Sequence, residues 1–177
     1  AGKSSAINAI TGHGGLARTS RTPGRTRLIN FFSLNKPLCR LVDLPGYGYA
    51  RVSREVQEAW QDELHRYLEG RLSLQALILV MDIRHPLNPL DSQMMQWCRA
   101  RRLPTLILLT KADKLSRGAA QQTLRKVRTQ VEAEAPLFDC QLFSATARTG
   151  IDEARTYLDR FFAPVGSIEA HSPETTG

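Results

Sequence analysis

Apolar and polar positions along the chain fall into two periods, and each change of period marks a new element. The runs Leu28 to Leu34 and Leu38 to Leu44, separated by Asn35-Lys36-Pro37, predict a β-hairpin. From Ser53 to Glu69 the apolar positions Val56, Ala59/Trp60, Leu64 and Tyr67/Leu68 recur at three- and four-residue spacing, which predicts an amphipathic helix. Leu74 to Met81 is a continuous apolar strand ending at Asp82, and Asn88-Pro89 then caps a helix to about Arg101. Thr105 to Leu109 is a second buried strand, and Ser116 caps a helix to about Glu134. Gln141 to Phe143 is a short strand, and Ile151 to Phe162 a last helix with the stripe Ile151, Ala154, Leu158 and Phe161.

Fully apolar strands alternating with helices imply an α/β fold in three layers, a mostly parallel sheet with helices on both faces. In such sheets ligands bind at the carboxyl ends of the strands. The expected domain spans residues 1–162, and residues 163–177, without periodicity, read as a disordered tail.

Composition narrows the class. With 42% hydrophobic and 23% charged residues the chain is of ordinary globular type, and its 177 residues suffice for one core. No apolar run approaches the ~20 residues that a spanning helix needs, so a membrane partner is not expected. Cys39, Cys98 and Cys140 are too scattered for a disulfide framework or a metal pair, and read as reduced core residues of a cytoplasmic protein. His13, His65, His85 and His171 show no metal-binding spacing. A start at Ala1, with neither Met nor an apolar signal segment, reads as a fragment or processed chain.

Charge is distributed unevenly. The net charge is +7, and seven basic residues, Lys3, Arg18, Arg21, Arg25, Arg27, Lys36 and Arg40, precede the first acidic one, Asp43. The remainder is balanced, so the excess points to an anion handled near this end.

The strand ends carry matching chemistry. Ala1-Gly2-Lys3-Ser4-Ser5, followed by a helical pattern, matches the second half of a phosphate-binding loop. There backbone N–H groups cradle phosphates, Lys3 reaches the β- and γ-phosphates, and the Ser4 hydroxyl ligates Mg²⁺. Asp43, followed by Leu44-Pro45-Gly46, gives a D-x-x-G string, with Asp43 on Mg²⁺ through water and the Gly46 N–H near the γ-phosphate. Thr110-Lys111-Ala112-Asp113 is a [NT]-K-x-D string: the Asp113 carboxylate accepts from guanine N1–H and the 2-amino group, and the Lys111 stem lies along the base. Adenine lacks that donor pair, so ATP is disfavoured. Phe143-Ser144-Ala145 then offers a backbone N–H to guanine O6. Thr19, Thr22 and Thr26 all lie where a nucleotide switch supplies a Mg²⁺-binding hydroxyl, and position alone does not choose among them.

These strings resemble the bacterial EngB (YihA/YsxC) GTP-binding proteins of ribosome biogenesis and septation, in the TrmE-Era-EngA-EngB-septin-like group. Ala-Gly-Lys-Ser-Ser at 1–5, Leu-Ala-Arg-Thr-Ser-Arg-Thr-Pro-Gly-Arg-Thr at 16–26 and Asp-Leu-Pro-Gly-Tyr-Gly-Tyr-Ala at 43–50 carry the likeness, together with Asp-Ile-Arg-His-Pro at 82–86 and Thr-Lys-Ala-Asp at 110–113. The resemblance implies a Ras-like fold of six strands and five helices, here without the family's first strand and the start of its phosphate loop. It implies GTP or GDP contacts from Ala1 to Ser5, from Gly24, Arg25, Thr26, Arg27 and Leu28, and from Asp43 to Gly46. Further contacts would come from Thr110 to Asp113 and from Phe143 to Ala145, with Mg²⁺ held by Ser4 and Thr26. It also implies a switch acting in assembly of the large ribosomal subunit, contact with that subunit and its RNA, and a need for the protein in cell division. A monomer is expected.

Ras-type enzymes place a Gln after the D-x-x-G glycine to orient the attacking water, and here that position is Tyr47. Slow intrinsic hydrolysis is therefore expected, dependent on backbone positioning, a bound cation or a partner, and no residue is assigned as catalytic. Gly46 and Gly48 suit a loop that rearranges when the γ-phosphate leaves. Two other readings compete. A P-loop nucleotide kinase or ATPase is opposed by the 110–113 string, and a basic RNA-binding module without nucleotide offers only Phe31 and Phe32 for base stacking.

Overall fold

The computed structural model describes residues 2–12, 30–33, 40–44 and 66–162. Its elements are α1 (Lys3–Thr11), β1 (Asn30–Ser33), β2 (Arg40–Asp43), β3 (Leu77–Asp82), α2 (Pro89–Arg101), β4 (Thr105–Thr110), α3 (Arg117–Val131), β5 (Phe138–Leu142) and α4 (Ile151–Phe162). Residues 66–69 are also helical, at the end of the helix expected from Ser53 to Glu69, whose other residues lie outside those described. The switch segment from Arg18 to Leu28, the Pro45 to Ala50 stretch and residues 163–177 also lie outside them.

The hairpin expected from the two apolar runs forms as β1 and β2, antiparallel, with Phe31 opposite Val42 and Phe32 opposite Leu41. The three-stranded sheet has the order β3-β4-β5 and is parallel throughout. Among the described residues no ladder joins the two sheets. Both crossovers, through α2 and α3, step in the same direction across the sheet, and right-handed crossovers then place both helices on one face.

Strand alternation divides the core accordingly. Ile107 and Leu109 of β4 face α2 and α3, meeting Met95, Cys98, Leu124 and Val127. Leu106 and Leu108 face the other way, toward Ala6 and Ile10 of α1 and Ile151, Ala154 and Tyr157 of α4. As the central strand covered on both faces, β4 is buried along its whole length. Cys98 and Cys140 are buried free thiols, and burial pushes the Cys140 thiol up to about 12.

The helix starts follow capping chemistry. The Asn88 side chain accepts from Leu90 N at 2.9 Å and Asp91 N at 3.0 Å, while Asn88 N donates to Asp91 Oδ2 at 3.1 Å, a complete capping box with Pro89 in the first turn. Ser116 accepts from Ala119 N at the start of α3.

Four expectations are corrected, the first being that β3 begins at Leu77 and not at Leu74. β5 begins at Phe138, earlier than Gln141, because parallel pairing with β4 continues through Asp139. Phe138 and Cys140 are buried while Asp139 between them is exposed, a half-buried strand that an apolar run does not reveal. α3 ends at Val131, and residues 132–134 tighten into a 3₁₀ turn. On α4 Tyr157 is buried beside Ile151 and Ala154, while Leu158 and Phe161 of the expected stripe are only partly buried.

Candidate functional site

The ends of β2, β3, β4 and β5 and the start of α1 carry the candidate residues. Gly2, the N-cap of α1, has φ 88°, a left-handed conformation open to glycine, and its carbonyl accepts from Ala6 N at 2.9 Å. As at any helix start, the first N–H groups of α1 have no acceptor within the helix. Lys3 and Ser4 follow, both half-buried, with Ser5 exposed. Asp43 ends β2, is 3% exposed, and accepts from Lys3 Nζ, a contact spanning 40 residues that unites the 2–5 and 43–44 strings.

The segment from 110 to 113 stands directly beside Gly2. A Cβ on Gly2 would lie 3.7 Å from Thr110 Oγ1 and 4.0 Å from Lys111 Cε. Thr110 is buried and its hydroxyl donates to the Met81 carbonyl at 3.0 Å, binding the ends of β3 and β4 together. Lys111 adopts φ 59°, and Ala112 begins a 3₁₀ turn that carries Asp113.

The loop after β5 closes on that turn. Ser144 Oγ donates to Asp113 Oδ1 at 2.6 Å, and Ala112 N donates to the Phe143 carbonyl at 3.1 Å. The Ser144 bond and neighbouring Lys114 hold the Asp113 carboxyl below its ordinary range. Phe143 itself is 1% exposed and packs in the core, so the site receives only its backbone. Ser144 N is also committed, donating to the Thr149 carbonyl at 3.0 Å in a reciprocal bridge.

Two side chains to which the sequence alone gives no task support these residues, one at the strand ends and one at the opposite end of α1. Asp82, the last residue of β3, accepts from Lys111 Nζ at 2.8 Å and from Arg84 Nε and Nη2 at 2.9 and 2.7 Å. Arg84, first, and Lys111 after it hold the Asp82 carboxyl well below the usual carboxylate range, so it is ionised. Its signal in the sequence is its place, a carboxylate closing an apolar strand as Asp43 does. Arg155 of α4 donates to the carbonyls of Ile10 at 2.8 Å and Ala9 at 3.2 Å, capping the far end of α1. Nothing local in sequence connects residues so far apart.

A phosphate-loop half at a helix start, a buried Asp at a neighbouring strand end and a [NT]-K-x-D string locked to the next loop define a class: an α/β P-loop GTPase. The family model described as 50S ribosome-binding GTPase matches residues 1–111. A relative from Nitrosococcus oceani, described as a probable GTP-binding protein EngB, is 56% identical over 160 residues, covering 90% of this chain and 80% of its own. The chain belongs to the EngB family of GTP-binding proteins, a family of GTPases. A crystal structure of a probable GTP-binding protein engB superposes with TM-score 0.73 at 23% identity, covering 91% of this chain and 92% of that one. Era from Aquifex aeolicus, bound to GDP and an aluminium fluoride, superposes with TM-score 0.71 at 17% identity over 91% of this chain and 53% of that one. Both likenesses are of fold, and the fold is Ras-like.

Proposed function

We propose that this chain is a guanine-nucleotide switch that hydrolyses GTP slowly and acts on the large ribosomal subunit during its assembly. The observation that carries the reading is the Asp113–Ser144 bond, which fixes the carboxylate of the short turn that follows Lys111, the residue standing beside Gly2. In this reading the first N–H groups of α1 and Lys3 take the phosphates, and the Lys111 stem and Asp113 take guanine. With Ser144 N committed to Thr149, the Ala145 N–H is the donor for guanine O6. The ribosomal partner is supported by the family description and by the basic opening quarter. The cytoplasm and a part in division and septation follow from that family reading.

Mg²⁺ fits the residues present, because a hydroxyl at Ser4 and a buried carboxylate at Asp43 are hard oxygen donors suited to this ion. Ser4 would hold it directly and Asp43 through water, with Thr26 as a further hydroxyl. Bound there, the ion would neutralise charge on the β- and γ-phosphates. Phosphate oxygens would then compete for the Lys3 ammonium and free the Asp43 carboxylate. Arg18, Arg21, Arg25 and Arg27 would meet ribosomal RNA in the GTP form, giving a steeper salt dependence of subunit binding with GTP than with GDP.

Titration with fluorescent GDP, GTP and ATP, on the wild type and on Asp113→Asn, tests the base assignment. A strong guanine preference lost in the variant is expected, and equal affinity for ATP and GTP overturns it. Turnover with and without large ribosomal subunits tests the switch, and unstimulated turnover of several per second excludes it.

A further inference from the structure

Asp82 closes β3 at a point where β3 and β4 run in register, directly across from Thr110. Its carboxylate is held by two cations from different segments. Oδ1 accepts from the backbone N of Arg84 at 3.1 Å and from its Nε at 2.9 Å, and Oδ2 accepts from Arg84 Nη2 at 2.7 Å. This forked grip comes from a residue only two positions along the chain, so it fixes the carboxylate at the strand end. Oδ2 also accepts from Lys111 Nζ at 2.8 Å, a contact spanning 29 residues.

Lys111 needs such a fixed point. Its backbone lies in the left-handed region, its side chain is 39% exposed, and its Cε passes within 4.0 Å of a Cβ placed on Gly2. A four-carbon chain this exposed samples many rotamers when its ammonium is free, and ordering it on a ligand costs entropy. Tethered to Asp82, the stem is stretched between the end of β4 and the end of β3 before any ligand arrives.

We propose that Asp82, braced by Arg84, is a positioning residue for nucleotide binding, which holds the Lys111 ammonium so that the lysine stem stands ready as one wall of the base site. Asp82 acts through Lys111 and does not touch the nucleotide. The inference rests on the guanine-nucleotide reading above, and it gives a task to Asp82 and Arg84 of the 82–86 string, which that reading leaves without one.

A double-mutant cycle reads the dependence directly. GDP affinity is measured by fluorescent-nucleotide titration for the wild type, Asp82→Asn, Lys111→Met and the double variant of the full chain. Asp82→Asn is expected to weaken GDP binding about tenfold, the scale of one charge-assisted hydrogen bond. In the Lys111→Met background the same change is expected to have less than about a twofold effect, because nothing is left to position. Asp82→Glu, which keeps the charge, is expected to recover most of the loss. Unchanged or tighter binding in Asp82→Asn overturns the proposal, and so do losses that multiply in the double variant, which indicate a merely structural role. Should Asp82→Asn not fold, Arg84→Gln loosens the same carboxylate from an exposed position. A loss in the wild-type background that vanishes beside Lys111→Met supports the proposal, and equal losses in both overturn it. Wild-type protein that binds ATP as tightly as GTP would instead refute the guanine reading itself, a separate outcome from failure of the cycle.

Discussion

Ser144 donates its hydroxyl to the Asp113 carboxylate at 2.6 Å, joining the loop after β5 to the loop after β4 across 31 residues of chain. The same hydroxyl accepts from Ala147 N at 3.0 Å, so its own orientation is fixed by the loop it belongs to. Asp113 therefore enters the site already held, Oδ1 by the Ser144 hydroxyl and Oδ2 with the Lys114 ammonium 3.4 Å away. Ser144→Ala is expected to weaken GDP binding about fivefold by titration, the scale of one hydrogen bond to a partly exposed charged group. Ser144→Thr, which keeps the hydroxyl, is expected to retain most of the affinity.

Gly150 precedes α4 with φ 74°, and a Cβ there would run into the Leu142 carbonyl oxygen and approach Gln141 Nε2 at 2.9 Å. The obstacle is backbone of β5 and cannot swing aside. Gly150→Ala is expected to destabilise the fold by about 2 kcal/mol, from the left-handed conformation together with the clash. Urea unfolding checks this through a lower midpoint at unchanged slope.

Arg155 carries two hydrogen bonds to the last carbonyls of α1, groups that a helix leaves without partners of its own. It also brings positive charge to the negative end of the helix dipole. Arg155→Met is expected to lower stability by about 1–2 kcal/mol in the same measurement. Arg155→Lys is expected to recover only part, since an ammonium cannot span two carbonyls as the planar guanidinium does.

Asp82 and Asp113 are both held below the ordinary carboxylate range, Asp82 by Arg84 and then Lys111, and Asp113 by Ser144 and then Lys114. A depressed folded-state value means that the unfolded chain takes up protons first as pH falls. Their stabilisation is thus complete above the ordinary carboxylate value and is lost as the pH drops from there through the folded value. Asp82→Asn is expected to be less stable than the wild type at pH 7, with the difference shrinking below about pH 4. Unfolding measured across that range checks the sign.

Much of this was legible in the chain. The continuous apolar runs gave β3 and β4, because a strand covered on both faces has no polar position to confuse the pattern. Asn88-Pro89 and Ser116 gave two helix starts, because caps are local chemistry. Phe138 to Leu142 was harder to read: Asp139 interrupts the run, and only pairing with β4 decides that it is a strand. Tyr157, three residues after Ala154, is buried more deeply than Leu158 where α4 packs against α1 and β4, a choice between adjacent positions that helical spacing alone leaves open.

By itself the sequence determined the order of elements and the kinds of group at each strand end, since period, caps and motif strings depend on neighbours along the chain. It led to the expectation that a lysine, a carboxylate and a [NT]-K-x-D string lie on one edge, since ligands in such folds bind at the carboxyl ends of the strands. Only the tertiary structure decided which of these groups meet: Lys3 with Asp43, Asp113 with Ser144, Lys111 with Asp82, and Arg155 with the end of α1. Such pairings depend on distances between segments far apart in the chain, which are set when both faces of the sheet pack and not by any local pattern of residues.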